Sequence, residues 1–205
     1  MAPVYKLSTS RLSSRTSYSS MLAGNAAFIP TSFESIATVT VGSGGASNVE
    51  FTSIPGTYKH LQVRISAQTN RGTFGTDYIN ATINNDTGSN YARHHLGTDG
   101  STVSAGSTAN GTLFSAGVAG TPQGATLSAG VLDLLDYANT NKYKTIRLLS
   151  GNDINGSIGG YPGELYLQSA LWMSTNAVTS LKFTPSVGSL FTQYTHFALY
   201  GIASA

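Results

Sequence analysis

This chain of 205 residues has no cysteine, so the side chains that could bind a metal ion are its four histidines and nine carboxylates. His94 and His95 are adjacent, and neighbouring side chains on a strand point to opposite faces, so these two cannot chelate one ion together. His60 and His196 come from segments that are distant in the sequence. We therefore expect no metal site and no cofactor.

Residues 84–90 and residues 153–156 resemble parts of calcium-binding loops, because both are rich in Asn, Asp and Gly. A complete calcium loop needs a ladder of oxygen ligands and a closing Glu, and neither segment provides them. We interpret both segments as turns, in which these residue types are common for conformational reasons.

The sequence contains no catalytic motif. A serine nucleophile needs a G-x-S-x-G elbow and a phosphate-binding loop needs GxxxxGK[ST], and neither pattern occurs. The acidic residues lie mostly in turns or opposite a cation, so no pair stands out for acid–base chemistry. We predict a protein that is not an enzyme and has no catalytic residues.

The hairpin from Val131 to Leu149 is the element around which we expect the rest of the chain to be organised. Two runs rich in apolar and β-forming residues flank a short loop, residues 139–141, whose Asn residues tolerate tight turns. If the loop is centred on Thr140, five pairs face each other: Asp133 and Arg147, Asp136 and Lys144, Tyr137 and Tyr143, Leu134 and Ile146, and Leu132 and Leu148. Such cross-strand pairs contribute about 0.2–1 kcal/mol each, which favours this register.

Both faces of this hairpin carry apolar side chains, since Val131, Leu135 and Leu149 lie opposite to the leucines and isoleucine named above. This pattern predicts a central position with packing on both faces. We interpret Asp133 and Arg147 as a buried structural ion pair.

The composition favours an all-β protein: 27 Ser, 25 Thr and 23 Gly stand against only 10% charged residues. The spacing of turn residues predicts about eleven strands over residues 33–205, in an antiparallel β-sandwich of jelly-roll type. Residues 97–111, 117–124 and 151–163 are small and polar, and we predict them to be loops. The net charge of +2 gives no general attraction for nucleic acid. No run approaches the ~18 apolar residues of a membrane span, so we expect no membrane insertion.

Residues 1–32 differ from the rest of the chain. They carry three positive charges, no carboxylate and a Ser-rich tract, with aromatic and aliphatic residues scattered among them. Such a segment cannot bury enough apolar surface to fold alone. We predict an extended N-terminal anchoring arm that becomes ordered against a neighbouring protein.

Four segments resemble a module of virion structural proteins from tailed bacteriophages, including phages of cyanobacteria and marine bacteria: residues 51–72 (FTSIPGTYKHLQVRISAQTNRG), 84–101, 132–147 and 197–202. Residues 14–25, SRTSYSSMLAGN, are similar to arms from the same setting. The resemblance implies a non-enzymatic structural component of the virion, such as a tail fibre, knob, adaptor or decoration protein. It implies assembly in the host cytoplasm and docking of residues 1–32 on other virion proteins, and it brings no catalytic residues.

Two further expectations accompany this resemblance. The first is a homo-oligomer, with a trimer favoured by analogy to phage fibres and decorations. The second is an alternative function, in which the chain is a receptor- or carbohydrate-binding module. Its loops would hold a glycan of the host surface, with Tyr78, Tyr91 and Tyr161 nearby.

Overall fold

A computed structural model describes residues 33–203 as twelve β-strands joined by turns. The strands are β1 (Phe33–Thr40), β2 (Val49–Phe51), β3 (His60–Ser66), β4 (Thr76–Ile83), β5 (Tyr91–Thr98), β6 (Val103–Gly111), β7 (Phe114–Gly120), β8 (Ala129–Leu135), β9 (Lys144–Ile158), β10 (Tyr161–Trp172), β11 (Leu181–Pro185) and β12 (His196–Ile202). The all-β class is confirmed, with one strand more than the predicted eleven. Within this range no helix is long and apolar enough to cross a membrane.

The strands form two antiparallel sheets. The larger sheet has the order β1-β12-β3-β8-β9-β10-β5-β6, and the smaller has the order β2-β11-β4-β7. Several pairings are nested, because β1 pairs with β12, β2 with β11, β4 with β7 and β5 with β6. The chain therefore resembles a long hairpin rolled over on itself, which is the jelly-roll type of sandwich.

The core lies between the two sheets. Alternation along β3 buries Leu61, Val63 and Ile65 and turns the intervening polar residues outward. Aromatic rings fill the space opposite them, with the Phe197 centroid 5.0 Å from that of Phe183. Each fully buried side chain of this kind contributes about 1.5–3 kcal/mol, so the facing rows hold the sheets together without any disulfide.

The predicted hairpin register is confirmed. β8 and β9 are the fourth and fifth strands of the larger sheet, and Asp133 pairs with Arg147 in the antiparallel ladder. The same register pairs Leu134 with Ile146 and Leu132 with Leu148, and all four of these side chains are buried.

Two further pairs predicted for this hairpin are wrong. The ladder ends at Leu135, and Asp136 adopts a positive φ of 49° that turns the chain away from β9. Asp136 then binds Lys59, at 2.8 Å, and Lys142 instead of Lys144. The tyrosines also separate, because Tyr137 is buried and Tyr143 is exposed.

The interpretation of Asp133 and Arg147 as a buried ion pair is also wrong. Arg147 is exposed on the outer face of the larger sheet, and the Asp133 Oδ1 atom accepts a hydrogen bond from Gln62 Nε2 at 2.9 Å. The prediction that both faces of the hairpin are packed is also wrong. The smaller sheet covers one face of the hairpin, whereas Val131 and Leu149 on the other face are exposed in the structure of residues 33–203.

The prediction of three loops is wrong for two of them and half right for the third, since residues 117–124 consist of the end of β7 and a turn. Residues 97–111 form the end of β5, a tight turn and all of β6, while residues 151–163 contain the end of β9 and the start of β10. Backbone hydrogen bonds to a neighbouring strand need no large side chain, so a Gly- and Ser-rich edge strand carries no hydrophobic signal. Residues 1–32, the predicted arm, lie outside the described residues, and the division of the chain at residue 33 stays a prediction.

Candidate functional site

Three adjoining cavities share the side chain of Tyr78, a residue of β4. They lie beside β5, β6 and β10, at one edge of the larger sheet. We call the three together the Tyr78 cleft and name each lobe after one residue that lines it.

The lobes differ in their chemistry. The Arg71 lobe, of about 180 Å³, is lined by Arg71, Phe74, Thr76, Tyr78 and Glu164. The Arg93 lobe, also of about 180 Å³, is lined by Tyr78, Asn80, Arg93, His95, Ser115, Tyr166 and Ser186. The Asp99 lobe, of about 270 Å³, is lined by Tyr78, Thr98, Asp99, Thr102, Ser104 and Glu164.

A local irregularity of the smaller sheet lies beside Tyr78. The β4–β7 ladder shifts register between Tyr78 and Asn80, which both line the cleft. Gly117 stands opposite this shift with a φ of 110°, and a Cβ atom there would lie 2.6 Å from the Ser150 Oγ atom. Bulges of this kind change the direction of nearby side chains and are common next to functional sites.

Tyr78 and Glu164 form the centre of the cleft. The phenol of Tyr78 donates a hydrogen bond to Glu164 Oε2 at 2.7 Å. Burial raises the pKa of Glu164, the hydrogen bond from Tyr78 opposes that rise, and the nearby charge of Asp99 adds to it. The cleft thus holds a partly desolvated carboxylate with a fixed hydrogen-bond donor beside it.

Tyr166 supplies a rigid aromatic wall. Its ring packs edge-on against Tyr78 at a centroid distance of 5.9 Å and stacks on His95 at 5.1 Å. Its phenol donates to Gln168 Oε1 at 3.2 Å, and Gln168 Nε2 donates in turn to the Ser115 carbonyl at 2.6 Å. These bonds hold the tyrosine in place before any ligand arrives.

Arg93 and His95 are the cationic and titratable side chains of their lobe. Arg93 Nε donates to Thr108 Oγ1 at 3.3 Å, and no ion pair joins Arg93 to a carboxylate among residues 33–203. The Nδ1 atom of His95 is buried without a hydrogen-bond partner in the described part of the chain. Burial, followed by the charge of Arg93, lowers the pKa of His95. Its neighbour His94 is exposed on the opposite face, as the sequence predicts.

Asp77 holds two surface loops in place beside the cleft. This buried carboxylate accepts hydrogen bonds from Thr69 Oγ1 at 2.8 Å and from the backbone N–H of Gly188 at 2.9 Å. Arg71 belongs to the first loop, where its Nη1 atom donates to the Thr76 carbonyl at 3.0 Å. The guanidinium also lies over the Phe74 ring, 4.3 Å from the centroid.

Of the tyrosines named from the sequence, the structure places Tyr78 in the cleft. Tyr91 does not line it: its phenol is buried, accepts a hydrogen bond from the Ile83 backbone N–H at 2.9 Å, and has a pKa raised by burial to about 12. The side chain of Tyr161 lies outside the described part of the chain. Sequence reasoning missed Arg93, Glu164 and Tyr166, and it considered His95 only as a metal ligand. Their alternate spacing on two strands was a usable signal, since it places each pair on one face.

The calcium-like segments have structural roles. In the turn at residues 84–90, the Asp86 carboxylate accepts hydrogen bonds from Trp172 Nε1 at 2.7 Å and from the Gly88 N–H at 2.9 Å. Residues 153–156 belong to β9, so the prediction of a turn there is wrong. Among the residues that the structure describes, no group of three or more His, Cys, Asp or Glu side chains could hold a metal ion.

No protein-family model matches the chain, and no curated protein sequence matches it. Solved structures with some likeness include Caenorhabditis elegans galectin LEC-6, with 10% identity, a TM-score of 0.31, and coverage of 82% of this chain and 96% of the galectin. The CBM40 module of the Ruminococcus gnavus IT-sialidase, solved with α2,3-sialyllactose, has 11% identity, a TM-score of 0.28, and coverage of 83% and 95%. These values establish no family, so the function has to be argued from the cleft.

Proposed function

We propose that this protein is a carbohydrate-binding module whose ligand lies in the Tyr78 cleft. The observation that carries the proposal is the contact of Tyr78 with both the Tyr166 ring and the Glu164 carboxylate, in adjoining lobes of one cleft. A sugar presents apolar C–H faces and many hydroxyl groups, so it is recognised by aromatic side chains and convergent hydrogen-bonding groups. Asn80 and Asp99 add such groups on either side of Tyr78.

We propose binding rather than catalysis for this cleft. Its polar side chains are held by neighbours, as in the bond from Tyr78 to Glu164 and the chain from Tyr166 through Gln168 to Ser115. Groups fixed in this way suit recognition, because little conformational entropy is lost when a ligand binds.

The test is a glycan array followed by isothermal titration calorimetry with the best ligand. Tyr78→Ala should abolish detectable binding, because it removes the residue shared by all three lobes. Tyr143→Ala is the matched control, since that tyrosine is exposed in the β8–β9 loop and lines none of the three lobes. Failure of the unaltered protein to bind any glycan, or equal binding by the two variants, would refute the proposal.

We also propose a structural role within a larger assembly, because the outer face of the larger sheet carries a continuous apolar row. Strand pairing places Val131, Leu149, Leu167 and Leu96 side by side across four strands. Their exposed fractions are 39%, 54%, 51% and 50%, respectively. A contiguous apolar patch on a sheet is typical of a protein–protein interface.

The setting that we propose for this role is the one suggested by the resemblance: a virion structural protein of a tailed bacteriophage. The chain would be a homo-oligomer, with a trimer as the first expectation, and residues 1–32 would anchor it to other virion proteins. A sheet face used in assembly leaves the Tyr78 cleft, which opens beside β4, free for a host-surface glycan. The two roles are therefore compatible in one particle.

A further inference from the structure

The Arg93 lobe differs from the other two lobes of the Tyr78 cleft in its charge. Glu164 lines both the Arg71 lobe and the Asp99 lobe, whereas no carboxylate lines the Arg93 lobe. Arg93 and His95 are the basic groups there, and both are on β5, facing away from the exposed outer side of the sheet. The Asp99 lobe is thus acidic, the Arg71 lobe holds one charge of each sign, and the Arg93 lobe is basic.

The two arginines of the cleft also differ in their bonding. Arg71 is satisfied, because it donates to the Thr76 carbonyl, stacks on Phe74 and lies 3.9 Å from the Asp77 carboxylate. Arg93 uses only its Nε–H, toward Thr108, and forms no ion pair in the part of the chain that the structure describes. A guanidinium has five N–H donors and prefers to meet a carboxylate with two of them. Arg93 therefore keeps the donors that a bound anion needs.

His95 points to the same kind of ligand. The side chain lines the lobe, and its Nδ1 atom is buried without a hydrogen-bond partner among the described residues, which is costly for a polar group. The ring stacks on Tyr166 and lies over Gly106, where a Cβ atom would come within 2.6 Å of His95 Cε1. The imidazole therefore has a fixed plane, with Arg93 beside it on the same strand.

We infer that the Arg93 lobe binds the carboxylate of an acidic sugar, while Glu164 and Asp99 accept hydrogen bonds from hydroxyl groups elsewhere on the same ligand. This inference rests on the proposed glycan-binding function and narrows its ligand to carboxylated glycans, such as uronate or sialic acid oligosaccharides. A sugar acid fits better than a small free anion, because Tyr78 adds a partly exposed aromatic ring to the lobe and Asn80 adds an amide. The carboxylate would lie between Arg93 and His95, and its charge would favour the protonated form of the imidazole.

The test uses two matched pairs of probes: trigalacturonate and its carboxyl-reduced form, and sialyllactose and lactose. Calorimetry on the full chain should give binding of at least one acidic probe that is tenfold or more tighter than binding of its neutral partner. Arg93→Gln should weaken that acidic probe by about tenfold to a hundredfold and leave the neutral partner unchanged, because a charge-assisted hydrogen bond is lost. Arg147→Gln, which removes an exposed arginine from the outer face, should change neither affinity.

The outcomes separate this inference from the function on which it rests. Equal affinity for the acidic and neutral probes, with Tyr78→Ala still abolishing both, would overturn the carboxylate site and leave glycan binding intact. Absence of binding to all four probes and to the glycan array would overturn both. Gly106→Ala provides a second variant, because its methyl group would displace the His95 ring. It should weaken the acidic probe selectively, with circular dichroism and the melting temperature confirming that the sandwich is folded.

Discussion

Lys144 is fully buried, and its ammonium group donates hydrogen bonds to backbone carbonyls of the surrounding loops. The Nζ atom donates to the carbonyls of Asn139, Lys142 and Thr175 at 2.6, 2.9 and 3.1 Å. Burial lowers the pKa of Lys144, and the charge of Lys142 adds to this effect. Lys144 therefore stabilises the β8–β9 loop by hydrogen bonds to its backbone carbonyls.

We expect Lys144→Met to destabilise the protein by about 2 kcal/mol, because it removes the donor that three backbone carbonyls share. Lys142→Met is the matched control two residues away. Its ion pair with Asp136 involves an exposed ammonium, so its loss should cost less than about 1 kcal/mol. Urea unfolding measures the loss in the free energy of unfolding for each variant. Equal losses would contradict the structural role of the Lys144 ammonium group.

Glu164 provides a pH prediction at the same scale. Burial raises the folded-state pKa of Glu164 above its ordinary value, and the hydrogen bond from Tyr78 limits that rise. Because the folded state holds this proton more tightly, Glu164 makes a destabilising contribution at neutral pH that is relieved as the pH falls from the folded pKa toward the unfolded one.

We expect Tyr78→Phe to raise the pKa of Glu164 further, since the opposing hydrogen bond is removed while the burial remains. Carbon-13 NMR titration of the side-chain carboxyl would measure the pKa in both proteins. Affinity for a neutral oligosaccharide in the unaltered protein should fall on acidification through that pKa, because a protonated carboxyl accepts hydrogen bonds poorly. A lower pKa in the variant would contradict this arrangement of the cleft.

At the scale of elements, the hairpin of β8 and β9 shows what the sequence can predict. Its register followed from the matched types of residues across the two strands, because cross-strand pairs are a local property. The burial of each face did not follow, since that depends on where the smaller sheet lies. Asp133 and Arg147 are in register but not buried together. The strand pairing could therefore be predicted from the sequence, whereas the contribution of this pair to stability could not.

Asp133→Ala should therefore cost less than about 1 kcal/mol, in contrast to the 3 kcal/mol or more expected for one partner of a buried pair. The structure leaves Arg147 in contact with solvent after the change, and only the hydrogen bond from Gln62 is lost. Chemical unfolding of the variant gives the number directly. A loss of about 3 kcal/mol in the free energy of unfolding would contradict the exposed arrangement and support a buried ion pair.

The cleft illustrates the opposite case. β6 and the ends of β9 and β10 are rich in Gly, Ser and Asn, so apolar periodicity did not reveal them as strands. Five of the residues that line the cleft lie on β5 and β10, which are neighbours only because of the sheet order. Tyr78 was found from its type and its place among turns, whereas its contact with Glu164 bridges 86 positions in the chain.

At the scale of the whole molecule, the apolar row on the outer face should mediate self-association. Introducing two charges with Leu149→Asp and Leu167→Asp should shift the protein to a monomer, because a desolvated unpaired carboxylate opposes burial of the face. Val187→Asp is the control, since Val187 is exposed on a loop outside the row. Sedimentation velocity would contradict the proposal if the unaltered protein were a monomer at high concentration.

We predict that residues 1–32 anchor this protein to other virion proteins. A chain that begins at Ser32 should remain folded with a nearly unchanged melting temperature, because the sandwich of residues 33–203 has its own core between its two sheets. It should nevertheless fail to enter phage particles. Unfolding of the shortened chain, or its incorporation at the normal level, would exclude the arm as the anchor.

The most direct test of glycan binding at the Tyr78 cleft is an NMR titration of the isotope-labelled protein with the tightest-binding oligosaccharide. The largest shifts in amide resonances should cluster at residues 76–80 of β4, residues 93–98 of β5 and residues 164–168 of β10. The amide resonances of Val131 and Leu149, on β8 and β9, should stay unchanged. Shifts concentrated at any other surface, or no shifts at a saturating concentration of ligand, would contradict the proposed site.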